Sequence, residues 1–327
     1  MTRPIRWGIL GTGWIANEFA SALVQVPGAE LHAIGSRSVP SAERFGGQYG
    51  IPRRYPSYEA LVQDPDIDVV YVATPNPLHR DHALLCLDSG KAVLCEKPFA
   101  LNAQQAEEII RTARHQELFL MEAMWSRFFP LMAKVRALVD GGAIGSVQML
   151  VADLCIRFEF DPADRRYAPG LGGGALLDLG VYTLSLASMI MGPPSRITAQ
   201  AHLGATGVDE QAGIVLGYGQ GQLSVLHCSL RVDSPVEASL LGTEGRIRLH
   251  PWWIRPDRLT LGVTGQGETT IEVPFEGNGY QFEALEVMDC LRRGRLESEL
   301  MPLEETLSIM RTMDAIRTQW GLAYPGE

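Results

Sequence analysis

An α/β domain with a parallel sheet, followed by an α+β domain with an open, mainly antiparallel sheet, is the architecture this sequence predicts. Three observations predict it. The chain opens on an apolar strand that runs through a glycine turn into an amphipathic helix, Ile5 to Ala16 and beyond. Apolar strand-like runs and helical patterns then alternate over the first hundred-odd residues. From Ile197 onward the alternation gives way to short strands separated by tight turns such as Gly219-Gln220-Gly221 and Thr243-Glu244-Gly245, which join antiparallel neighbours. At 327 residues the chain exceeds one ordinary core. The change of pattern after Phe119-Leu120-Met121-Glu122 places the boundary, giving domains 1–123 and 124–327.

Within the opening stretch, Gly11-Thr12-Gly13-Trp14-Ile15-Ala16 has the spacing G-x-G-x-x-A between strand and helix. Gly11 allows the tight turn, Gly13 lets a pyrophosphate approach the backbone, and Ala16 lets helix and strand pack closely. The free N–H groups of the first helical turn, around Trp14 and Ile15, then face the phosphates. An ordinary strand-to-helix turn is the alternative, and the next segment favours the nucleotide. The second strand, Ala29 to Gly35, ends at Ser36-Arg37-Ser38. An acidic residue usually stands there to hold the ribose hydroxyls of NAD. Here two hydroxyls and a guanidinium stand instead, a set that suits a 2′-phosphate and predicts NADP.

Helices are expected over Ala42 to Tyr49 and His79 to Ser89. The continuous apolar run Asp68 to Ala73 reads as a central parallel strand. It stops at Thr74-Pro75-Asn76, and the next strand, Ala92 to Cys95, stops at Glu96-Lys97-Pro98. Loops at the carboxyl ends of parallel strands line the ligand crevice, so both loops are candidate cofactor contacts. Further along, helices around Ser126 to Asp140 lead to a long strand, Ser146 to Phe160. A glycine-rich loop, Gly170 to Gly174, and a helix, Ala175 to Met191, follow. Two helices, Tyr280 to Arg293 and Leu303 to Trp320, close the chain.

A formal charge of −10 argues against binding a nucleic-acid duplex, whose affinity comes mainly from Lys and Arg. The five cysteines, Cys86, Cys95, Cys155, Cys228 and Cys290, show no paired spacing. Buried free thiols are expected, with neither a disulfide framework nor a metal cage. The longest apolar run, Ala175 to Ile190, is interrupted by Asp178, so no membrane span is expected. With no leader pattern at the N-terminus, a soluble cytoplasmic protein is the expectation.

Two groups stand out as chemistry. Lys97 sits in a crevice loop, with Pro98 restricting its backbone. Asp178 and Tyr182 lie four residues apart on an otherwise apolar helix, sharing a face, where a carboxylate and a phenol need partners. To act as a base near neutrality, tyrosine must lose about three pKa units, about 4 kcal/mol. A cation at ~4 Å in an effective dielectric of ~20 contributes on that order, so Lys97 beside Tyr182 would suffice.

Gly11-Thr12-Gly13, Cys95-Glu96-Lys97-Pro98 and the run Gly172 to Tyr182 together resemble the glucose-fructose oxidoreductase / inositol dehydrogenase family (Gfo/Idh/MocA). The run Met121 to Pro130 resembles its branch of dihydrodiol and NADP-dependent D-xylose dehydrogenases. The resemblance extends over nearly the whole chain and implies that Lys97 is the catalytic lysine, Tyr182 the general acid/base and Asp178 a residue near the substrate. It also implies that Trp125, Trp253 and Phe275 line the substrate pocket, and that the open sheet forms a homodimer or larger homo-oligomer. Around Leu154 to Phe158 and Asp161 to Tyr167 the match to the dihydrodiol enzyme is poor, and that segment leads toward the pocket. The expected function is hydride transfer between NADP and a carbinol of a sugar, polyol or trans-dihydrodiol. A catalytically silent dinucleotide-binding regulator, and a sugar–sugar oxidoreductase with tightly bound NADP, are the alternatives.

Overall fold

The computed structural model describes residues 3–327 and resolves two compact units. The first takes the chain through Trp125 and again from Glu276 to Leu307; the second takes Ser126–Phe275 and Ser308–Glu327. A single cut after residue 123 therefore misses a return of the chain. The returning segment is held by polar contacts that no hydrophobic pattern announces. The Asn278 amide donates to Glu18 O at 2.8 Å, Leu120 N donates to Leu296 O at 3.0 Å, and Thr306 Oγ1 donates to Glu122 Oε2 at 3.0 Å.

The first unit is built from β1 (Ile5–Leu10), α1 (Trp14–Leu23), β2 (Ala29–Gly35), α2 (Val39–Tyr49), β3 (Arg53–Tyr55) and α3 (Tyr58–Val62). It continues through β4 (Val69–Val72), α4 (His79–Asp88), β5 (Ala92–Glu96), α5 (Ala103–His115) and β6 (Leu120–Ala123). The six strands pair in the order β3-β2-β1-β4-β5-β6, all parallel. Sheet order reverses at β1, and ligands of open α/β sheets bind at such a point, outside the carboxyl ends of the strands. Local chemistry sets the helix ends: Ser57 Oγ accepts from Ala60 N and Asn102 Oδ1 from Gln105 N, each satisfying an orphan donor. All four residues of β4 are buried, as a strand covered on both faces requires. Trp7, Phe19 and Tyr71 fill the centre, with Phe19 stacked on Tyr71 at 3.9 Å.

The second unit comprises α6 (Pro130–Asp140), β7 (Val147–Cys155), α7 (Val181–Met191), β8 (Arg196–Leu203), β9 (Asp209–Gly217), β10 (Leu223–Ser229) and β11 (Ala238–Gly242). To these it adds β12 (Gly245–Leu249), β13 (Arg258–Val263) and β14 (Gly267–Glu272). Helix α8 (Gln281–Arg292) belongs to the first unit, and α9 (Leu303–Trp320) ends in the second. Its eight strands run β14-β13-β12-β11-β7-β10-β9-β8. Every pair is antiparallel except β7 with β10, which lie parallel in the middle of the sheet. Strand β7 ends at Cys155, short of Phe160, and beyond it Ile156 N and Phe158 N donate to Ser229 O and Leu230 O.

Three helical segments, Pro169–Leu171, Leu176–Gly180 and α7, make Pro169–Met191 a 23-residue stretch that by length and composition alone is long and apolar enough to cross a membrane. Yet 78% of its most apolar window is buried. It packs on β7 and β10 as the core helix of its unit.

Candidate active site

The two motif glycines have different reasons to be glycine. Gly11 has φ +107°, and a Cβ there would meet Ala73 O at 2.7 Å, so the crossing of β1 past β4 excludes any side chain. Gly13 has φ −75°, open to any residue, and no atom lies within 4 Å of where its Cβ would stand. No steric contact within the protein requires glycine there. Gly13 is also the N-cap of α1 and gives it no side-chain cap, so the first N–H groups of the helix, at Trp14, Ile15 and Ala16, are left for an anion. Trp14 is 71% exposed beside them, Thr12 and Ile15 are half-buried, and Ala16 is fully buried as close packing requires.

At the end of β2, Ser36 turns inward, its Oγ accepting from Ser38 N at 3.3 Å, while Arg37 and Ser38 are exposed. Burial raises the pKa of the Tyr58 phenol and the adjoining Arg37 guanidinium opposes it. Tyr58 in turn stands edge-on to the His82 ring at 4.7 Å, and His82 Nδ1 lies 2.9 Å from Thr74 Oγ1. Burial, aided by Arg37, lowers the His82 pKa, with Asp81 and Glu59 opposing. The structure thus ties the Ser36–Ser38 loop to the Thr74–Asn76 loop through two residues, Tyr58 and His82, that sequence reasoning passes over.

His79, at the start of α4, joins the two crevice loops. Its ring is wholly buried, with Nε2 2.8 Å from Thr74 O and Nδ1 2.8 Å from Pro98 O. Burial pushes its pKa down to about 4 against the pull of both carbonyls. Near pH 7 the neutral ring donates to one carbonyl at a time. Pro75 is exposed and Asn76 half-buried on the same loop.

Glu96 is expected in the crevice, but its side chain turns into the core. One carboxylate oxygen accepts from the Tyr71 hydroxyl in a very short hydrogen bond, and the other accepts from Lys97 N at 3.1 Å. Beside it Glu283, on α8, is completely buried with neither oxygen hydrogen-bonded. Burial and then the charge of Glu96 raise its pKa well above the ordinary carboxylate value, which favours the protonated form. Burial and the same acids raise Tyr71. The half-buried Lys97 therefore rides on a backbone fixed from beneath by Glu96 and Tyr71. The Lys97–Pro98 bond is cis.

In the second unit, the helix bearing Asp178 and Tyr182 begins as a π-turn, Leu176–Gly180, before α7. Such turns carry i→i+5 bonds and concentrate at functional sites. Asp178 is 5% exposed and accepts a two-pronged ion pair from Arg165, at 2.9 and 3.3 Å. Arg165 comes from the segment where the sequence departs from the dihydrodiol pattern. Tyr182 is 6% exposed.

Of the aromatic residues expected to line a pocket, Trp125 stacks on Tyr280 at 4.5 Å, within the first unit. Phe275 meets Phe129 edge-on at 4.9 Å, with the Arg255 guanidinium 5.2 Å away. Trp253 corrects the expectation: it is 1% exposed and its indole N–H donates to Asp153 O at 2.8 Å, so it serves the core. His32, Asp64 and Asp66 gather their ligand-type atoms within 4.8 Å. However, Asp64 already accepts from Tyr55 and Asp66 N, and Asp66 pairs with Arg6. All five cysteines are buried and free.

Fold and motifs together define a nucleotide-binding oxidoreductase: residues 5–124 match the family described as "Oxidoreductase family, NAD-binding Rossmann fold", and residues 132–248 match the GFO/IDH/MocA C-terminal domain. The chain belongs to the Gfo/Idh/MocA family. Among its relatives it is 38% identical to trans-1,2-dihydrobenzene-1,2-diol dehydrogenase of Xenopus tropicalis, over 98% of this chain and 99% of that one. It is 34% identical to the enzyme of that name from Homo sapiens, over 98% of each. Among solved structures, aldose-aldose oxidoreductase from Caulobacter crescentus complexed with glycerol superposes with a TM-score of 0.89 at 26% identity, covering 98% of this chain and 99% of that one. A 3-ketoreductase from Actinomadura kijaniata in complex with NADP and TDP-benzene gives 0.86 at 27%, covering 97% and 98%.

Proposed function

We propose that this protein is an NADP-dependent dehydrogenase moving hydride between the nicotinamide and a carbinol of a sugar, polyol or trans-dihydrodiol. The observation that carries the cofactor is Gly13: a glycine with open space around it, at the uncapped start of α1. Arg37, Ser36 and Ser38 would hold the 2′-phosphate, while Gly11 to Ile15 would hold the pyrophosphate. The Thr74–Asn76 and Glu96–Pro98 loops would bound the nicotinamide, which supplies the hydride acceptor or donor when bound.

Tyr182 takes the carbinol proton in oxidation and returns it in reduction, and the Lys97 ammonium stabilises its phenolate. Asp178, held by Arg165, orients the substrate hydroxyls; Trp125 and Phe275 offer it flat apolar surface. The relatives named for dihydrodiol oxidation support the substrate class. The Actinomadura ketoreductase was also solved with a lysine replaced by alanine and with a tyrosine replaced by phenylalanine. Five free buried thiols fit a reducing, cytoplasmic setting. A homodimer through the second unit's sheet, whose Leu203, Val215 and Leu223 are exposed, completes the reading.

The test follows the reduced-nicotinamide absorbance with aldoses, inositols, trans-dihydrodiols and dicarbonyls, using NADP and NAD in parallel. Turnover with NADP on at least one carbinol supports the reading; binding without turnover indicates a silent regulator. The likeness to an aldose-aldose oxidoreductase favours one second reading, hydride shuttling between two sugars. It would show as NADP retained through purification and reduced by one sugar, then oxidised by another.

A further inference from the structure

The Gly172–Gly174 loop opens the helix that carries Asp178 and Tyr182, and each glycine has a steric reason. Gly172 has φ +66°, and a Cβ on Gly173 would lie 2.8 Å from Arg166 O and 2.9 Å from Arg165 O. Gly174 has φ +122°, and its Cβ would lie 2.2 Å from Asp209 Oδ1. A loop of three glycines has no side chains with which to hold itself. Its N–H groups donate to Pro169 O, Ala168 O and Arg166 O, and two residues from elsewhere in the unit hold it by their side chains. Asp209, at the first position of β9 and wholly buried, accepts from Leu176 N at 2.7 Å through Oδ2. Its Oδ1 has no hydrogen-bond partner. Tyr324, in the tail after α9, donates its hydroxyl to Gly173 O at 2.6 Å. The Tyr324 ring lies 5.0 Å from the Arg317 guanidinium, which Asp314 and Glu327 fix at 2.6 and 2.7 Å.

We propose that Asp209 and Tyr324 are positioning residues for the acid/base, clamping the glycine loop so that the π-turn and α7 present Asp178 and Tyr182 in one fixed orientation. The inference rests on the reading of Tyr182 above. A buried carboxylate with one oxygen unpaired is a costly way to hold a mere loop, and the helix it holds is the one bearing the proposed chemistry. The groups facing Asp209 are Tyr324 of the tail, Arg317 of α9 and Cys228 of β10.

The experiment compares wild type with Tyr324→Phe, Asp209→Ala and Asp209→Asn, using hydrogen exchange of the peptide 174–186 and steady-state kinetics on the carbinol found by the substrate panel. Tyr324→Phe and Asp209→Ala raise exchange in that peptide, leave the peptide 72–80 unchanged, and lower kcat by about 10- to 100-fold with the NADP KM within about twofold. Asp209→Asn keeps an oxygen for Leu176 N and holds kcat within about threefold of wild type. Unchanged exchange in the first two variants overturns the clamp, and raised exchange with unchanged kcat overturns its positioning role. Full turnover by Tyr182→Phe overturns the acid/base reading itself, a result separate from either.

Discussion

Asp209 makes the stability of the protein fall as pH rises, and Asp209→Asn removes that dependence. Burial raises the carboxyl from its ordinary 3.8 to about 7, with the hydrogen bond from Leu176 N and the charge of Arg317 opposing. A folded-state pKa above the unfolded one gives stability that is complete below the unfolded value and is lost as pH climbs through the folded value. About three units at 1.36 kcal/mol each amount to about 4 kcal/mol lost above pH 7, of which roughly 1.6 is already lost at pH 5. Asparagine does not titrate, so its own fixed cost or gain cancels between two pH values. Urea unfolding of both proteins at pH 5 and pH 8 therefore shows the variant gaining about 2.5 kcal/mol on wild type across that interval. A wild-type-minus-variant difference constant to within about 0.5 kcal/mol would refute a carboxylate that resists ionisation in the folded state.

Lys97→Met and Tyr182→Phe each cut kcat by about 10²–10⁴, read from steady-state turnover on the identified carbinol, and near-wild-type rates in either remove that residue's role. Arg37→Ala weakens NADP by about 1.5–3 kcal/mol, roughly 10- to 150-fold in Kd, and leaves NAD unchanged, as fluorescence titration with both nucleotides will show; equal losses disprove the phosphate contact. His79→Ala leaves Thr74 O and Pro98 O without their buried donor and lowers stability by about 1–3 kcal/mol, measured by denaturant unfolding, an unchanged midpoint being contrary. Glu283→Gln removes an acid whose folded pKa is raised. Wild type loses up to about 1.4 kcal/mol per pH unit relative to it above the carboxylate range, and parallel stability–pH curves contradict a raised Glu283 pKa.

Legibility in the sequence followed the kind of constraint. Periodicity located β2 and α9 to the residue, because an apolar face is written into positions close in sequence. The parallel pairing of β7 with β10 was hidden, since register between strands distant in sequence leaves no local mark. The return of α8 to the first unit was hidden for the same reason: Asn278 and Thr306 are unremarkable until the residues they reach are known. Lys97 and Asp178 were legible as polar groups in apolar or crevice settings. Their supports, Glu96 with Tyr71 and Arg165, were not, because a side chain's direction depends on packing that composition does not encode. Glu96 shows the difference sharply. Its place in the loop suggested a ligand contact, whereas its carboxylate faces inward and holds the backbone of the next residue.

The glycines separate what the fold requires from what function requires. At Gly11, Gly173 and Gly174 a methyl group would strike Ala73 O, Arg166 O or Asp209 Oδ1, so the fold alone accounts for them. At Gly13 a methyl group would strike nothing. Alanine there would add no clash, and the chain entropy it removes from the unfolded state is offset by the helix N-cap preference for glycine over alanine. Glycine at this helix start, past the carboxyl end of β1, leaves the backbone N–H groups of the first turn open to an approaching group. Such an opening admits a phosphate whose oxygens reach those N–H groups, which agrees with the NAD-binding Rossmann family matched by residues 5–124.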